Sequence, residues 1–265
     1  MNRGFVIIAQ NTRETDYIKC AEVLARSIKN VMPNESVTLL TDKQIKSKVF
    51  NNVVTFPYGD QCINDDWKLA NDWQVYDASP YEYTIKIEAD MYITRPIDYW
   101  FDVLKNRDLN LCSTIRNYKN EISGQRFYRK IIDENKLPDI YNAITYFKKS
   151  ELSNQFFELV KNIFNNWEDY KKLIKCYDTE LATTDIVYAI AAKIIGIENC
   201  TLSKFTDFSF IHMKKFINNI AMTSWDDELL YEIHKHTFRI NTLPQLYPLH
   251  YHVKEFSNII ESELL

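Results

Sequence analysis

The feature that most restricts the fold is the alternation of near-continuous apolar runs with helically spaced ones. GFVIIAQ (4–10) is apolar almost throughout, and SVTLLTD (36–42) repeats the pattern. Between them Asp16 precedes Ile18, Ala21, Leu24, Ala25 and Ile28, which share one helical face and make Asp16 an N-cap candidate. A strand that is apolar on both faces must be covered on both, and a strand–helix–strand unit lays its second strand parallel to the first. NVVTFPY (52–58) gives a third strand. DWKLANDWQVYDAS (66–79) reads as a helix ending before Pro80, and YTIKIEAD (83–90) and LNLCSTI (109–115) read as further strands. The expectation is an α/β fold with a mostly parallel, Rossmann-like sheet flanked by helices, binding its ligand beyond the carboxyl ends of the strands.

The second half is less regular. SELSNQFFELVKNIFNNWEDYKKLIK (150–175) holds one long amphipathic helix or two short ones, and TTDIVYAIAAKIIG (183–196) is a helix closed by Gly196. All five histidines lie beyond residue 205, with His234 and His236 in a charged stretch that reads as helical and solvated. A helical C-terminal portion is therefore expected. No repeat, low-complexity segment or linker interrupts the chain. It is read as one domain over 1–265, with 1–115 and 116–265 as its two halves.

Composition removes several function classes. The net charge of −4 predicts neither a general polyanion binder nor a membrane-surface protein. No apolar run reaches the roughly 18 residues of a spanning helix, and no export signal precedes the first strand. Five scattered cysteines imply reduced thiols and a cytoplasmic protein rather than a disulfide framework or thiolate zinc site. With only Gly4, Gly59, Gly124 and Gly196, no glycine-rich loop can bring backbone N–H groups onto phosphate. A nucleotide diphosphate, if bound, needs a cation or basic side chains to carry its charge.

TIKIEADMYITRP (84–96) offers such a place. Glu88 and Asp90 lie one residue apart at the end of an apolar strand, where both can face a hard divalent cation such as Mg²⁺ or Mn²⁺. The plainer reading is two solvated acids. Lys86 shares their face and would neutralise Glu88.

The segment KIEADMYITRPID resembles the DxD region of the GT-A-fold glycosyltransferases, with Glu88 for the first Asp. In the same order, AQNTRETDYIKCAEVLARSI (9–28) resembles the first strand, nucleotide loop and helix of that fold. YNAITYF (141–147) resembles the segment following the DxD in family-8-like members, with Ile144 for a glycine. TTD (183–185) resembles an acidic acceptor-side motif, and FIHMK (210–214) the late histidine and lysine. The chain is also similar to sugar transferases of large tailed bacteriophages, which include enzymes that glycosylate hydroxylated cytosine in DNA.

The resemblance implies a nucleoside diphosphate sugar donor, a UDP-sugar first, and Mn²⁺ or Mg²⁺. Asp90, Glu88 and His212 would hold the ion; the pair His250 and His252 of PLHYHVKEF, with Lys254 behind, supplies a rival third ligand, His250 first, because alternate strand positions share a face. Ala9, Asn11 and Tyr17 would border the nucleoside, Lys68, Asp72 and Glu88 the donor, and Lys214 the diphosphate. Core packing is the alternative for Tyr17, Trp67 and Trp73. Asp185 is the acceptor-side carboxylate or a helix N-cap, and Asn142 a sugar contact or a backbone partner at a strand end.

IRNYKNEISGQRFYRK (115–130) sets Arg116, Lys119, Arg126, Arg129 and Lys130 against the single acid Glu121, with Tyr118, Phe127 and Tyr128 between them. This suits phosphate backbones and stacked bases, which makes DNA a candidate acceptor, or it is a solvated face. A glycan, lipid or protein hydroxyl is the alternative acceptor. A sugar nucleotidyltransferase and a non-catalytic binding module with this fold are the other readings.

Overall fold

The computed structural model describes residues 2–62, 66–200, 207–234 and 237–264. The first nine strands are β1 (Arg3–Ile8), β2 (Val37–Thr41), β3 (Asn52–Thr55), β4 (Tyr83–Glu88), β5 (Met91–Tyr92), β6 (Leu109–Leu111), β7 (Ile115–Arg116), β8 (Ile122–Ser123) and β9 (Ile144–Lys148). Six of them form the central sheet in the order β3-β2-β1-β4-β9-β6. β1 pairs in parallel with β2 and β4, and β2 with β3, while β9 runs antiparallel to both β4 and β6. β9 is therefore the one reversed strand of this sheet, and the expectation of a mostly parallel sheet holds.

Side chains alternate across the sheet as strand geometry requires. Phe5, Ile7, Ile85 and Ile87 pack on one face beneath α1 (Tyr17–Val31), whose Leu24, Ala25 and Ile28 are fully buried. Asp16 caps α1 as expected, accepting from the Lys19 N–H at 3.0 Å. Val6, Leu40 and Phe147 face the other layer. Gly4 in β1 has a packing reason: a Cβ there would meet the Tyr81 ring at 2.4 Å. That ring is fixed by its hydroxyl, 2.8 Å from Thr38 Oγ1.

Residues 66–79 differ from the helix expected. Leu69–Gln74 is a 3₁₀ turn that runs into the short α2 (Val75–Ala78). The tighter winding keeps polar Asn71, Asp72 and Gln74 buried, where tertiary partners satisfy them: Asn71 Nδ2 donates to Gln10 Oε1 (2.6 Å) and Gln74 Nε2 to the Gly59 carbonyl (2.9 Å). LNLCSTI divides at Cys112 into β6 of the central sheet and β7 of a second sheet.

Helices α3 (Tyr99–Leu104) and α4 (Arg129–Asn135) follow β5 and β8. The segment 150–175 is two helices, α5 (Glu151–Asn165) and α6 (Trp167–Leu173), parted at Asn166, and α7 (Thr184–Ile195) ends at Gly196 with φ of 103°. α5 and α7 cover the second face through Phe156, Val160 and Tyr188.

The C-terminal portion carries more strand than expected. β10 (Phe210–His212), β11 (Tyr231–His234), β12 (Thr237–Ile240), β13 (Leu243–Pro244) and β14 (Leu249–His250) precede a final helix, Phe256–Leu264. The second sheet has the order β5-β14-β10-β7-β8, and β11, β12 and β13 form a small antiparallel sheet. His234 thus closes a strand rather than lying on a helix, since Tyr231 and Ile233 alternate inward at strand spacing; His236 lies outside the described residues. The final helix returns to α1 through Arg26–Glu261 at 3.1 Å.

Candidate active site

The central and second sheets meet where β4 ends, and register decides which side chains meet there. Glu88 is the last residue of β4, Asp90 follows in the turn, and β5 begins at Met91. β5 pairs antiparallel with β14, setting His250 opposite Met91. β10 pairs in parallel with β14, setting His212 beside His250. The two histidines that compete for one role in the sequence are therefore neighbours, and of the two it is His250 that lies against the acidic pair, with His212 beside it.

His250 Nε2 lies 2.9 Å from Asp90 Oδ2 and 3.6 Å from Glu88 Oε2. His250 Nδ1 lies 3.1 Å from His212 Nδ1, and His252 Nε2 lies 3.4 Å from His212 Nε2. Lys254 places its ammonium directly on Asp90 Oδ2. Asp90, His212 and His250 are buried, whereas Glu88 keeps 30% of its side chain open.

The two carboxylates differ electrostatically. Burial raises the Glu88 pKa, with Asp90 adding to the rise and His250 and Lys86 opposing it; contact with solvent moderates the effect. Burial also works against the Asp90 anion, but His250 and Lys254 outweigh it and hold this carboxyl well below the usual range. Asp90 is the fixed negative charge of the site. His212 and His252 are pushed down by burial and by the neighbouring imidazoles, so both are neutral and able to offer lone pairs.

A cavity of about 390 Å³ opens over these groups. Its lining brings together most of the residues singled out from sequence: Ala9, Tyr17, Lys68, Asp72, Glu88, Asp90, Asn142, Asp185, His212, Lys214 and His250. Asn11 is not among them; its side-chain oxygen accepts from the Ile18 N–H at 3.0 Å near the start of α1. Trp73 is core, whereas Trp67 lines the cavity and donates from Nε1 to the Ala182 carbonyl at 2.9 Å.

On the cavity floor Lys86 pairs with Asp72 rather than Glu88, at 2.7 Å, and donates to the Asn142 carbonyl at 3.0 Å. Asp72 also accepts from the Tyr188 hydroxyl and from Asn142 Nδ2 (3.2 Å). Asn142 Oδ1 accepts from Thr145 Oγ1 at 3.0 Å, so this side chain is tied into the framework at both ends. Asp185 lies in the first turn of α7, one residue inside the helix, and Thr183 holds the cap position. Its Oδ1 accepts from the Asn142 N–H at 2.8 Å, and its Oδ2 forms an ion pair with Arg126 at 3.2 Å.

The basic segment 115–130 is largely engaged within the protein. Arg126 is buried, stacks on Tyr141 at 4.0 Å and binds Asp139, Asp185 and the Ile140 carbonyl. Its charge is spent on acids that the composition of the segment alone did not include. Arg129 pairs with Asp139 at 2.5 Å, and Arg116 bonds Ser209 and the Asn120 carbonyl and stacks on Tyr247. Lys119 and Lys130 are the exposed cations of this segment.

His252 and Lys254, noted in the sequence beside His250, also line the site, as does Tyr128 of the basic segment; Gln10 and Thr12 line it without having been singled out. For His252 and Lys254 the alternation H-x-H-x-K in PLHYHVKEF carried the signal. For Tyr128 the signal was its place among the basic residues of 115–130.

No family model and no curated protein sequence matches this chain. Solved structures do. The chain is similar to an active-site variant of LgtC, with a TM-score of 0.54 and 10% identity over 98% of this chain and 95% of LgtC. It is similar to the glycosyltransferase GlyE of Streptococcus pneumoniae TIGR4, with a TM-score of 0.52 and 9% identity over 100% of this chain and 61% of GlyE. It is also similar to the bifunctional glycosyltransferase WbbM, with a TM-score of 0.54 and 10% identity over 99% of this chain and 49% of WbbM. The fold is that of the GT-A glycosyltransferases. Among the described residues no helix is long and apolar enough to cross a membrane.

Proposed function

We propose that this chain is a glycosyltransferase that moves a sugar from a nucleoside diphosphate donor, a UDP-sugar first, to an acceptor hydroxyl. The observation that carries the reading is the cavity at the carboxyl end of β4, where two acids, three imidazoles and lysines converge within a GT-A fold. A divalent cation, Mn²⁺ or Mg²⁺, suits the donor set: Glu88, Asp90 and His250 each offer a ligand atom within 4.8 Å of the others. Bound there, it would supply positive charge to the departing diphosphate.

The chain's own residues do the rest. Ala9 and Tyr17 border the nucleoside, while Lys68, Lys214 and Lys254 add positive charge along the diphosphate, in place of a glycine-rich loop. Asp72 fixes Lys86 and Asn142 beneath the donor sugar. Asp185, held by Arg126 and the Asn142 N–H, faces the acceptor side and is placed to orient or deprotonate the incoming hydroxyl.

The acceptor is the finer part of the proposal. A hydroxylated cytosine in DNA, within a host cytoplasm if the chain is phage-borne, is the acceptor that the basic segment implies. The internal pairing of Arg126 and Arg129 favours a glycan, lipid or protein hydroxyl instead.

Incubation with a panel of nucleotide sugars and Mn²⁺ tests the reading: nucleoside diphosphate should be released by the wild type and not by Asp90→Ala. Pyrophosphate release from a nucleoside triphosphate and a sugar phosphate would make the chain a nucleotidyltransferase. No product and no donor-induced rise in Tm would make it a binding module. Mass spectrometry of hydroxymethylated DNA after incubation decides the acceptor, an unshifted base removing DNA.

A further inference from the structure

A broad, solvent-open cavity of about 660 Å³ lies outside the active site and shares no lining residue with it. We propose that it binds an acidic oligosaccharide. It forms where the last turn of α1, the segment leading from β5 into α3 and the segment entering β14 meet, bringing together Asn30, Thr94, Arg95, Tyr99, Trp100 and Tyr247.

The aromatic rings supply the stacking surface. A pyranose carries C–H bonds on its faces and hydroxyls around its rim, so a site for it needs aromatic surface bordered by hydrogen-bonding groups. Tyr99 is 45% exposed, in T-shaped contact with buried Trp100. Tyr247 is held before any ligand arrives: Arg116 stacks on its ring at 4.1 Å, and its hydroxyl donates to Asp207 at 3.2 Å. Arg116 is fixed in turn by Ser209 Oγ at 3.0 Å and the Asn120 carbonyl at 2.8 Å. A shelf that is rigid beforehand loses little entropy on binding. Asn30 and Thr94 add an amide and a hydroxyl to the lining.

Charge selects an acidic chain. In a protein of net charge −4 this cavity is lined by no carboxylate, and Arg95 is exposed with no acid paired to it among the described residues. Asp207, the acid beside Tyr247, is balanced by Arg116 at 3.8 Å. The Arg95 fork can therefore take a carboxylate in two parallel hydrogen bonds. One unpaired cation is too few to follow the phosphates of a nucleic acid.

Thr94 follows β5 and Pro248 precedes β14, the paired strands that carry Met91 and His250, so the cavity lies roughly 10 Å from Asp90 along the sheet. A glycan held there raises the local concentration of its own hydroxyls at the active site. That the bound glycan is the acceptor rests on the glycosyltransferase reading; its binding does not.

The test is an array of neutral, uronate-bearing and sialylated oligosaccharides probed with the full-length protein, followed by calorimetry on the tightest acidic chain. Acidic chains should bind at least about tenfold more tightly than neutral chains of equal length. Tyr99→Ala should weaken that binding about tenfold and Tyr99→Phe should leave it within about threefold, while Arg95→Gln should remove the preference for acid. Release of nucleoside diphosphate from the donor without acceptor should be the same in all three variants as in the wild type. A wild type that binds the glycan and releases no nucleoside diphosphate would sink the glycosyltransferase reading and leave this site standing. The site itself is overturned if no oligosaccharide binds, if neutral and acidic chains bind alike, or if binding survives Tyr99→Ala. Equal loss in Tyr99→Phe and Tyr99→Ala would also overturn it, as would tighter binding of a single-stranded oligonucleotide through Arg95 and Tyr99.

Discussion

Asp72 and Asp90 are both buried aspartates paired with lysines, yet they do opposite work. Asp72 meets Lys86, the Tyr188 hydroxyl and Asn142 Nδ2, and Lys86 itself is only 1% exposed. Every strong interaction it makes is with the framework, so it is a structural charge pair on the cavity floor. Asp90 meets His250 and Lys254, and Lys254 remains 22% exposed on the cavity side. A charge whose partners reach into a cavity can exchange them for a ligand at little structural cost; one whose partners are enclosed cannot. The pairing of residue types is the same, and the location of the partner lysine separates support from chemistry.

The sharpest way to break this contrast is Lys86→Met. Removing the ammonium leaves Asp72 charged, buried and short of its main partner, so unfolding stability should fall by about 3–5 kcal/mol, read from urea or guanidinium midpoints. Asp90→Asn should show the reverse pattern. Sugar transfer should drop about 10²–10³-fold, as for removal of a preorganised electrostatic group, while the denaturation midpoint falls by less than in Lys86→Met, because Lys254 can turn to water in the cavity. If Asp90→Asn lowers stability as much as Lys86→Met does, Asp90 is a second framework charge and the contrast fails.

Glu88 and Asp90 were legible because period-two alternation fixes which residues share a face and because an apolar parallel strand ends at a ligand-binding edge. The strands β1 and β4 and the mostly parallel sheet were legible for the same reason: these strands are continuous and apolar. The histidines were only half legible. Sequence order ranked His212 against His250, but the pairing of β10 with β14 makes them neighbours, and pairing between distant strands leaves no trace in either segment. The 3₁₀ turn at Leu69–Gln74 was hidden likewise, since its cause is the set of partners that Asn71 and Gln74 find in Gln10 and Gly59. In the basic segment composition counted charges without their partners: Asp139 and Asp185 lie outside it and pair with Arg126.

Arg126 extends the comparison to a cation. It is buried like Lys86, yet it holds Asp185, which faces the cavity. Arg126→Gln should therefore affect function through Asp185, lowering acceptor-dependent transfer about tenfold as the ion pair that holds this carboxylate is lost. Hydrolysis of the donor in the absence of acceptor should be unchanged. Equal loss of both activities would place Arg126 with the framework and separate it from the acceptor side.

The smallest effect belongs to Asp60, a carboxylate between the two extremes. Its side chain is 33% exposed; it accepts from Asn71 Nδ2 (2.6 Å) and the Cys62 N–H (2.9 Å), and Lys68 lies 3.2 Å away on the cavity lining. Partial burial opposes ionisation, but these donors outweigh it and bring the pKa down to about 2. For an acid whose folded pKa is depressed, the stabilisation is complete above the unfolded value near 4 and disappears as pH falls through the folded value near 2. Exposure to solvent limits the contribution to roughly 1 kcal/mol. Asp60→Asn should therefore flatten the stability profile between about pH 4 and pH 2, measured by denaturant midpoints at successive pH values, and leave the profile above pH 5 parallel to that of the wild type. An unchanged acid limb would mean that Asp60 titrates as a solvated acid, and would leave Asp72 and Asp90 as the carboxylates whose surroundings govern their behaviour.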